Sequence, residues 1–240
     1  MQRWRLAKQS PGLKSMSSGG KKLTGIKKAM AKQMIRSWTD VPQFQLSTTV
    51  RCDNLIAYRK SLPAKISFTA LIAKAAAIVL KEFPELNQRF VDGLVESVET
   101  VNIGIASDTK RGLLVPVISM ADTKSLVELQ TDLNQIKEQS KVGKFAMEQL
   151  TGGTFTISNL GMFNVEQFSS IVNTPELGIL AIGKIARKPY VDEENQLIAA
   201  SVLQPVLTLD HRVADGALGA RFLTRFAEII EQPKIHLPKE

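Results

Sequence analysis

The chain holds two histidines, His211 and His236, so a proton acceptor working near neutral pH has two imidazoles to choose from. His236 follows Pro233 in a polar C-terminal stretch with nothing to preorganise it. His211 stands in Leu209-Asp210-His211-Arg212-Val213-Ala214-Asp215-Gly216, between an apolar strand-like run and the last helix-like run. Such a junction is rigid, yet it exposes a side chain at the end of a sheet. Polar or charged side chains crowd the positions from Asp210 to Asp215, which favours a general base. The plainer assignment makes Asp215 a helix N-cap, Gly216 a tight-turn residue and His211 a surface residue. A second segment, Thr151-Gly152-Gly153-Thr154-Phe155-Thr156-Ile157-Ser158-Asn159-Leu160-Gly161, has glycines flanking a strand that ends in Ser158 and Asn159. Both donate hydrogen bonds, as a developing oxyanion requires. Taken alone, this segment reads as a strand closing on an ordinary Ser-Asn turn.

Other chemistries fit poorly. Asp-His-x-x-x-Asp hints at metal, but a hydrolytic metal site wants three or more ligands, often several histidines, so no metal is expected. No Gly-x-Ser-x-Gly elbow supports a serine hydrolase. Neither a Gly-x-Gly-x-x-Gly fingerprint nor a P-loop occurs, which argues against dinucleotide oxidoreductases and ATPases.

The elements that must carry these residues follow from periodicity. Ile26, Met30, Met34 and Trp38 recur every four residues on one face of a basic amphipathic helix, which docks on its own domain and ends at Val41-Pro42. Phe44, Leu46, Thr48 and Val50 alternate like one half-buried strand. Asp53 is placed to cap a short helix through Leu62, and Ser67 a longer one through Phe83. Pro84 to Asn87 is a turn, and Asp92-Gly93 marks a hairpin after a strand near Arg89–Val91. Val98 to Ala106 and Gly112 to Ile118 are β-rich runs flanking a turn from Asp108 to Arg111. Ser125 to about Lys141 is polar-rich, with Leu126, Leu129, Leu133 and Ile136 at helical spacing. Three further β-rich runs cover Thr154 to Leu160, Gly178 to Ile185 and Leu197 to Leu209. The last helix, Ala217 to about Glu231, presents Phe222, Phe226, Ile229 and Ile230 on one face. Helices and strands alternate irregularly, which predicts layered α+β structure rather than a doubly wound parallel sheet.

Composition bounds the rest. The 240 residues are 44% hydrophobic, enough to fill a sizeable core. Cys52 has no partner, so a disulfide scaffold is excluded and the chain reads as intracellular. The most apolar stretch, Phe68 to Leu80, is short and carries Lys74; it is a buried helix and no membrane span is expected. The net charge of +8 is local: residues 1–39 hold ten basic side chains and no acid, and the remainder has 21 basic against 23 acidic, a balance of −2. Nucleic acid is therefore not the expected partner. Gln9 to Lys22 is rich in Ser, Gly and Lys without periodicity, so residues 1–22 read as a basic linker arm and 23–240 as the catalytic domain.

Taken together these segments resemble one family, the catalytic domain of dihydrolipoamide acyltransferases from 2-oxo acid dehydrogenase complexes, similar in fold to chloramphenicol acetyltransferase. The resemblance covers nearly the whole chain from Leu23. It rests on Ile26-Lys27-Lys28-Ala29-Met30-Ala31-Lys32, Ser67-Phe68-Thr69, Pro84-Glu85-Leu86-Asn87, Val101-Asn102-Ile103-Gly104-Ile105-Ala106 and Gly112-Leu113-Leu114-Val115-Pro116-Val117. Above all it rests on the Gly-Gly-Thr-Phe-Thr-Ile-Ser-Asn-Leu-Gly run followed, at this separation, by Asp-His-Arg-Val-Ala-Asp-Gly. A lone His-x-x-x-Asp-Gly would be weak.

The resemblance implies an α+β, chloramphenicol acetyltransferase-like mixed sheet with packed helices, assembled as a trimer. It implies acyl transfer between the thiol of dihydrolipoamide and that of coenzyme A, with His211 as general base, Ser158 as oxyanion donor and Asp215 supporting the local structure. Arg59, Ser67, Asp108, Asn159, Gly183 and Ile185 fall at positions lining the coenzyme A channel; Arg59 by itself reads equally as an exposed helix charge. The lipoyl group would come from a lipoyl domain on another domain or chain. The dehydrogenase and dihydrolipoamide dehydrogenase components would be partners, and trimers would build cubic or dodecahedral cores. His211 of one subunit would face Ser158 of the next. Gly161-Met162-Phe163 resembles the acetyl-transferring members, those of pyruvate dehydrogenase complexes, over succinyl or branched-chain ones. The implied compartment is the cytoplasm, or the mitochondrial matrix in a eukaryote. Two departures stand out: Asn164 occupies a position where many relatives have Gly, and Gln232 to Glu240 is polar where relatives often end in an apolar anchor. The competing readings are a chloramphenicol acetyltransferase-like enzyme with a small acceptor and a mainly structural core subunit.

Overall fold

The structure is a computed structural model and describes residues 22–23, 25–192 and 194–237. The proposed arm therefore lies almost wholly outside the described residues. Helix α1 (Gly25–Asp40) is followed by strands β1 (Gln43–Ser47) and β2 (Val50–Arg51), then helices α2 (Asp53–Ser61) and α3 (Phe68–Glu82). A hairpin, β3 (Gln88–Val91) and β4 (Leu94–Ser97), precedes β5 (Ile103–Ile105), β6 (Ser107–Thr109), β7 (Gly112–Leu114) and β8 (Val117–Ile118). Helix α4 (Leu126–Val142) leads to β9 (Phe155–Asn159), β10 (Gly178–Ile182), β11 (Ala186–Val191), β12 (Leu197–Leu203) and β13 (Val206–Asp210). Helices α5 (Gly216–Glu231) and α6 (Pro233–His236) close the described chain.

The central sheet is mixed, with order β1-β13-β10-β9-β5-β8; β9 runs parallel to β10 and β5, and β13 antiparallel to β10 and β1. A smaller sheet has the order β11-β12-β2. Helices α3 and α5 pack on each other and on the apolar side of the central sheet, where Phe155, Leu207 and Leu209 meet Phe222 and Phe226. Gly219 lets α5 approach closely, because a Cβ there would stand 2.6 Å from Leu46 and 2.8 Å from Leu209. The expected mixed α+β layering is the observed one.

Capped helices fall where periodicity and capping residues place them. Ser67 accepts from the Ala70 amide at 3.2 Å, opening α3, whose Leu71, Ala75, Ala76 and Leu80 are completely buried. Ser125 and Glu128 form a capping box on α4, and Gly143 ends it in the left-handed conformation at φ 73°. Asp215 accepts from the Leu218 amide at 2.7 Å and opens α5.

Several expectations need correction. Phe44 to Val50 is not one strand. Thr48 and Thr49 break it, and β1 joins the central sheet while β2 joins the small one. Leu197 to Leu209 likewise divides at Gln204-Pro205 into strands of different sheets, since Pro205 has no N–H for a ladder. Val98 to Ala106 is strand only over Ile103–Ile105, and Gly112 to Ile118 breaks at Val115-Pro116. Asp53 does not cap α2; it is the helix's first residue, and its carboxylate accepts from the Ser201 amide at 3.2 Å. Helix α1 docks less by its apolar face than by polar bonds: Gln33 Nε2 donates to the Thr174 carbonyl and Ser37 Oγ to the Val172 carbonyl, at 2.5 and 2.6 Å, while Trp38 stays 70% exposed. The stretch after Gln232 is not featureless either. Pro233 and Leu237 are buried, Ile235 is exposed, and His236 approaches Glu228 at 3.6 Å from within α6.

Candidate active site

His211 follows the last residue of β13, at the apex of a fixed turn. Its amide donates to the Pro42 carbonyl at 2.9 Å, and its ring packs on Phe44 with centroids 4.5 Å apart and planes tilted by 49°. One face of the imidazole is thus covered by an aromatic neighbour while the residue remains exposed. Its side chain makes no hydrogen bond among the described residues. Asp215 lies in the same segment, but its carboxylate is spent on the α5 cap and not on His211. The helix-cap assignment and the surface assignment read from the sequence are therefore both correct as geometry; a surface histidine on a fixed support remains chemically available.

Ser158 sits near the end of β9, half-buried, with a hydroxyl free of hydrogen bonds among the described residues. Asn159, the next residue, points to the opposite side of the sheet. Its Nδ2 donates to Thr69 Oγ1 at 3.0 Å, and its Oδ1 accepts from the Gly161 amide at 2.8 Å. Nothing in the spacing of Ser67-Phe68-Thr69 discloses that Thr69 holds Asn159. Gly183 packs where no side chain fits: a Cβ would stand 2.0 Å from the Glu166 carbonyl oxygen. Gly161 lies against Gly183, and Ile185 packs partly buried against the core just beyond. Ser158, Asn159, Gly183 and Ile185 are therefore one neighbourhood, joined to the start of α3 through Thr69. Ser67 is engaged as the α3 cap, and its own amide donates to Gln130 Oε1 at 2.7 Å.

Arg59 Nε donates to the Ile66 carbonyl at 2.6 Å, with the guanidinium 4.6 Å from the Phe68 ring centroid. This aligns the group at the start of α3 and leaves its terminal amino groups without a hydrogen bond among the described residues. It is neither a free helix charge nor a paired one. Asp108 is exposed in the β6–β7 hairpin, which leaves the sheet just past the pairing of Ile105 with Ile157. Asn164 has no positive φ, so its position here does not demand glycine, and its side-chain oxygen accepts from Lys184.

Within one chain, the two groups of residues lie at opposite ends of the central sheet. Ser158 is level with Ala181, which is level with Val206; His211 is five residues further along β13. At roughly 3.4 Å per residue and 4.8 Å per strand spacing, their Cα atoms are about 20 Å apart. The structure brings Ser158, Asn159, Gly183 and Ile185 together and does not bring His211 to them.

Three other groups bear on the chemistry. Burial pushes the Cys52 thiol up to about 12, with Asp53 and Glu231 adding to the effect, so it is no nucleophile at neutral pH. Burial also raises the Glu176 carboxyl to about 7, against the opposing hydrogen bonds from Thr156 and Asn173. The fully buried Asp210 is held by Arg212, a pairing the sequence contained without announcing it. Among the described residues no cluster of three or more His, Cys, Asp or Glu is placed to hold a metal, and no helix is long and apolar enough to cross a membrane.

Comparison with known proteins bears on the family and the fold. Residues 17–237 match the family model of the 2-oxoacid dehydrogenases acyltransferase catalytic domain. The chain is 36% identical over 225 residues to the dihydrolipoyllysine-residue acetyltransferase component of the pyruvate dehydrogenase complex of Bacillus subtilis (strain 168), covering 90% of this chain and 51% of that protein. It thus spans about half of that relative's length. Among solved structures it is similar to the dihydrolipoamide acetyltransferase of Azotobacter vinelandii, with a TM-score of 0.86 and 30% identity over 96% of this chain and 99% of that one. In that protein a serine, a histidine and, four residues on, an asparagine were investigated for roles in catalysis. It is also similar to the cubic core of a pyruvate dehydrogenase multienzyme complex, with a TM-score of 0.84 and 30% identity over 96% of this chain and 99% of that one. A chloramphenicol acetyltransferase shares the fold, with a TM-score of 0.54 and 16% identity over 83% of this chain and 92% of that one. The chain belongs to the family of 2-oxoacid dehydrogenase acyltransferase catalytic domains.

Proposed function

We propose that the chain transfers an acetyl group between dihydrolipoamide and coenzyme A, working as a trimer within the core of a pyruvate dehydrogenase-type complex. One observation carries the reading. An exposed imidazole on a fixed turn and a serine hydroxyl unengaged among the described residues stand at opposite ends of one sheet, on the fold of an acetyltransferase with a serine, histidine and asparagine at comparable spacing. Two copies packed end against end bring the groups together, so the site is complete only between subunits.

The residues then divide the work. His211 takes the proton of the attacking thiol, whose ordinary pKa of roughly 8.5 leaves little thiolate near neutral pH. The thiolate adds to the thioester carbonyl carbon, and the carbonyl electrons pass to oxygen. Ser158 Oγ donates a hydrogen bond to that oxyanion. The carbon–oxygen double bond re-forms, the second thiolate leaves, and it takes the proton back from the imidazolium of His211. Asp215 holds the start of α5 and with it the turn. A neutral amide would serve the cap equally, in keeping with the asparagine of the Azotobacter protein.

Coenzyme A would lie against the start of α3. The terminal amino groups of Arg59 suit a phosphate, while Ser67, Asn159, Gly183 and Ile185 would lie around the coenzyme A at the end of the sheet that also carries Ser158, with Asp108 at its edge. The lipoyl group would be delivered by a lipoyl domain outside this chain, alongside dehydrogenase and dihydrolipoamide dehydrogenase partners. Larger assembly into a cubic core and a location in the cytoplasm or mitochondrial matrix belong to the same proposal.

The test is a transfer assay with dihydrolipoamide as acceptor and acetyl-, succinyl- or isobutyryl-coenzyme A as donor, with mass measured by light scattering. Acetyl transfer by a particle of three 26.4 kDa subunits, or a multiple of three, is expected. Preference for another acyl group corrects the substrate; transfer to chloramphenicol but not dihydrolipoamide favours a small-acceptor enzyme. Activity surviving His211→Ala overturns the mechanism.

A further inference from the structure

The turn that carries His211 is built around a buried charge. Asp210, the last residue of β13, is 1% exposed, and its carboxylate accepts from three donors of Arg212: the backbone amide at 3.0 Å, Nε shared between the two oxygens at 3.0 and 3.1 Å, and Nη2 at 2.6 Å. The Val213 and Ala214 amides both donate to the Asp210 carbonyl, at 3.2 and 3.0 Å. A buried carboxylate is costly without a partner, so the chain must fold back tightly enough for Arg212 to reach it. His211, between the two, is left at the apex. The Arg212 guanidinium also lies over the Phe90 ring, 4.3 Å from its centroid. Phe90 is fixed in turn, because its amide donates to the Pro175 carbonyl at 2.8 Å.

We propose that Asp210 and Arg212, seated on Phe90, are positioning residues for His211. The forked pair sets the path of the turn, and the turn sets the imidazole on Phe44 and its amide on Pro42. None of the three need touch substrate. Misplacing a reacting group by about 1 Å is enough to cost on the order of a hundredfold in rate. Lysine keeps the charge of Arg212 but offers neither the planar fork nor the same ring stacking.

The inference rests on the proposed acyl transfer for its kinetic readout, so the test carries a second readout independent of activity. With two histidines in the chain, the imidazole nitrogen–proton spectrum of isotopically labelled protein contains two ring systems, separable by His236→Gln. In Arg212→Lys and Arg212→Ala we expect the His211 ring signals to shift and broaden while those of His236 stay in place. The kcat should fall roughly 10- to 100-fold, with KM for both substrates within about twofold. Ethylguanidinium added to Arg212→Ala should restore part of the lost kcat and none of that lost in His211→Ala. A folded Arg212→Ala protein with unchanged His211 signals and kcat overturns the proposal, as does a kcat loss that leaves the ring signals unmoved. If Arg212→Ala does not fold, Phe90→Leu is read in its place. A smaller displacement of the His211 ring supports the proposal, and an unmoved ring overturns it. A wild-type protein that transfers no acyl group sinks the proposed function, and the ring spectra still decide the positioning.

Discussion

Mixed trimers of two inactive variants test the geometry of the sheet directly. The Cα atoms of Ser158 and His211 are about 20 Å apart in one chain, from five residues along β13 and two strand spacings across β10. Neither side chain spans that gap, so the proposed step needs His211 from one subunit and Ser158 from another. Consider His211→Ala and Ser158→Ala chains carrying different affinity tags, co-expressed in equal amounts and assembled at random. A site is intact when the histidine-bearing subunit is one variant and its serine-bearing neighbour the other, which occurs in about a quarter of interfaces of a cyclic trimer. Each homotrimer alone should be poor, since loss of one oxyanion donor costs about a hundredfold or more. Doubly tagged trimers exclude both parents and hold one intact interface in three, so they should transfer acetyl at about a third of the wild-type rate, at least tenfold above either parent. Activity equal to the mean of the two parents would refute the reasoning, because it would require each subunit to hold a whole site.

Other perturbations read other parts of the fold. Burial raises Glu176 to about 7 from an ordinary 4.5, so the folded chain holds its proton more tightly than the unfolded chain does. Its contribution to stability is complete below about pH 4.5 and is lost as pH rises through 7, a total on the order of 3 kcal/mol. Glu176→Gln should flatten the fall in denaturant midpoint between pH 5 and 8, and parallel curves for the two proteins would contradict this. Asp215→Asn should keep the α5 cap and nearly all activity, whereas Asp215→Ala should cost about 1 kcal/mol in denaturant unfolding; equal behaviour of the two would deny the cap its role. Gly183→Ala places a Cβ 2.0 Å from the Glu166 carbonyl, so the Leu160–Glu166 loop must move. A loss of about 1–3 kcal/mol is expected on overpacking, together with a lower kcat, and an unchanged melting curve would show that the loop yields freely.

What the sequence discloses and what it withholds differ for a physical reason. Capping and helical periodicity are local, so Ser67, the Leu126–Ile136 spacing of α4 and the apolar face of α5 mark their helices within the span of a few turns. A β-rich run records only that residues are buried, not which sheet buries them. That is why Phe44–Val50 and Leu197–Leu209 read as single strands and are each divided between two sheets. Asp53 shows the same limit: a good capping residue in sequence, it is drawn instead to the Ser201 amide, 148 residues away. At the site, the types of Ser158 and His211 disclose their chemistry, and their separation is set by a register that no short pattern encodes. Strand β13 runs against β10 while β9 runs with it, so the apolar runs that end in Ser158 and in Asp210-His211 finish at opposite ends of the sheet. Two chemically matched groups held that far apart by a rigid sheet have no route to each other through local motion. Under the proposed reaction the sheet itself therefore forces the chemistry into a contact between subunits, and the turn at His211 must hold its shape without help from the serine it serves.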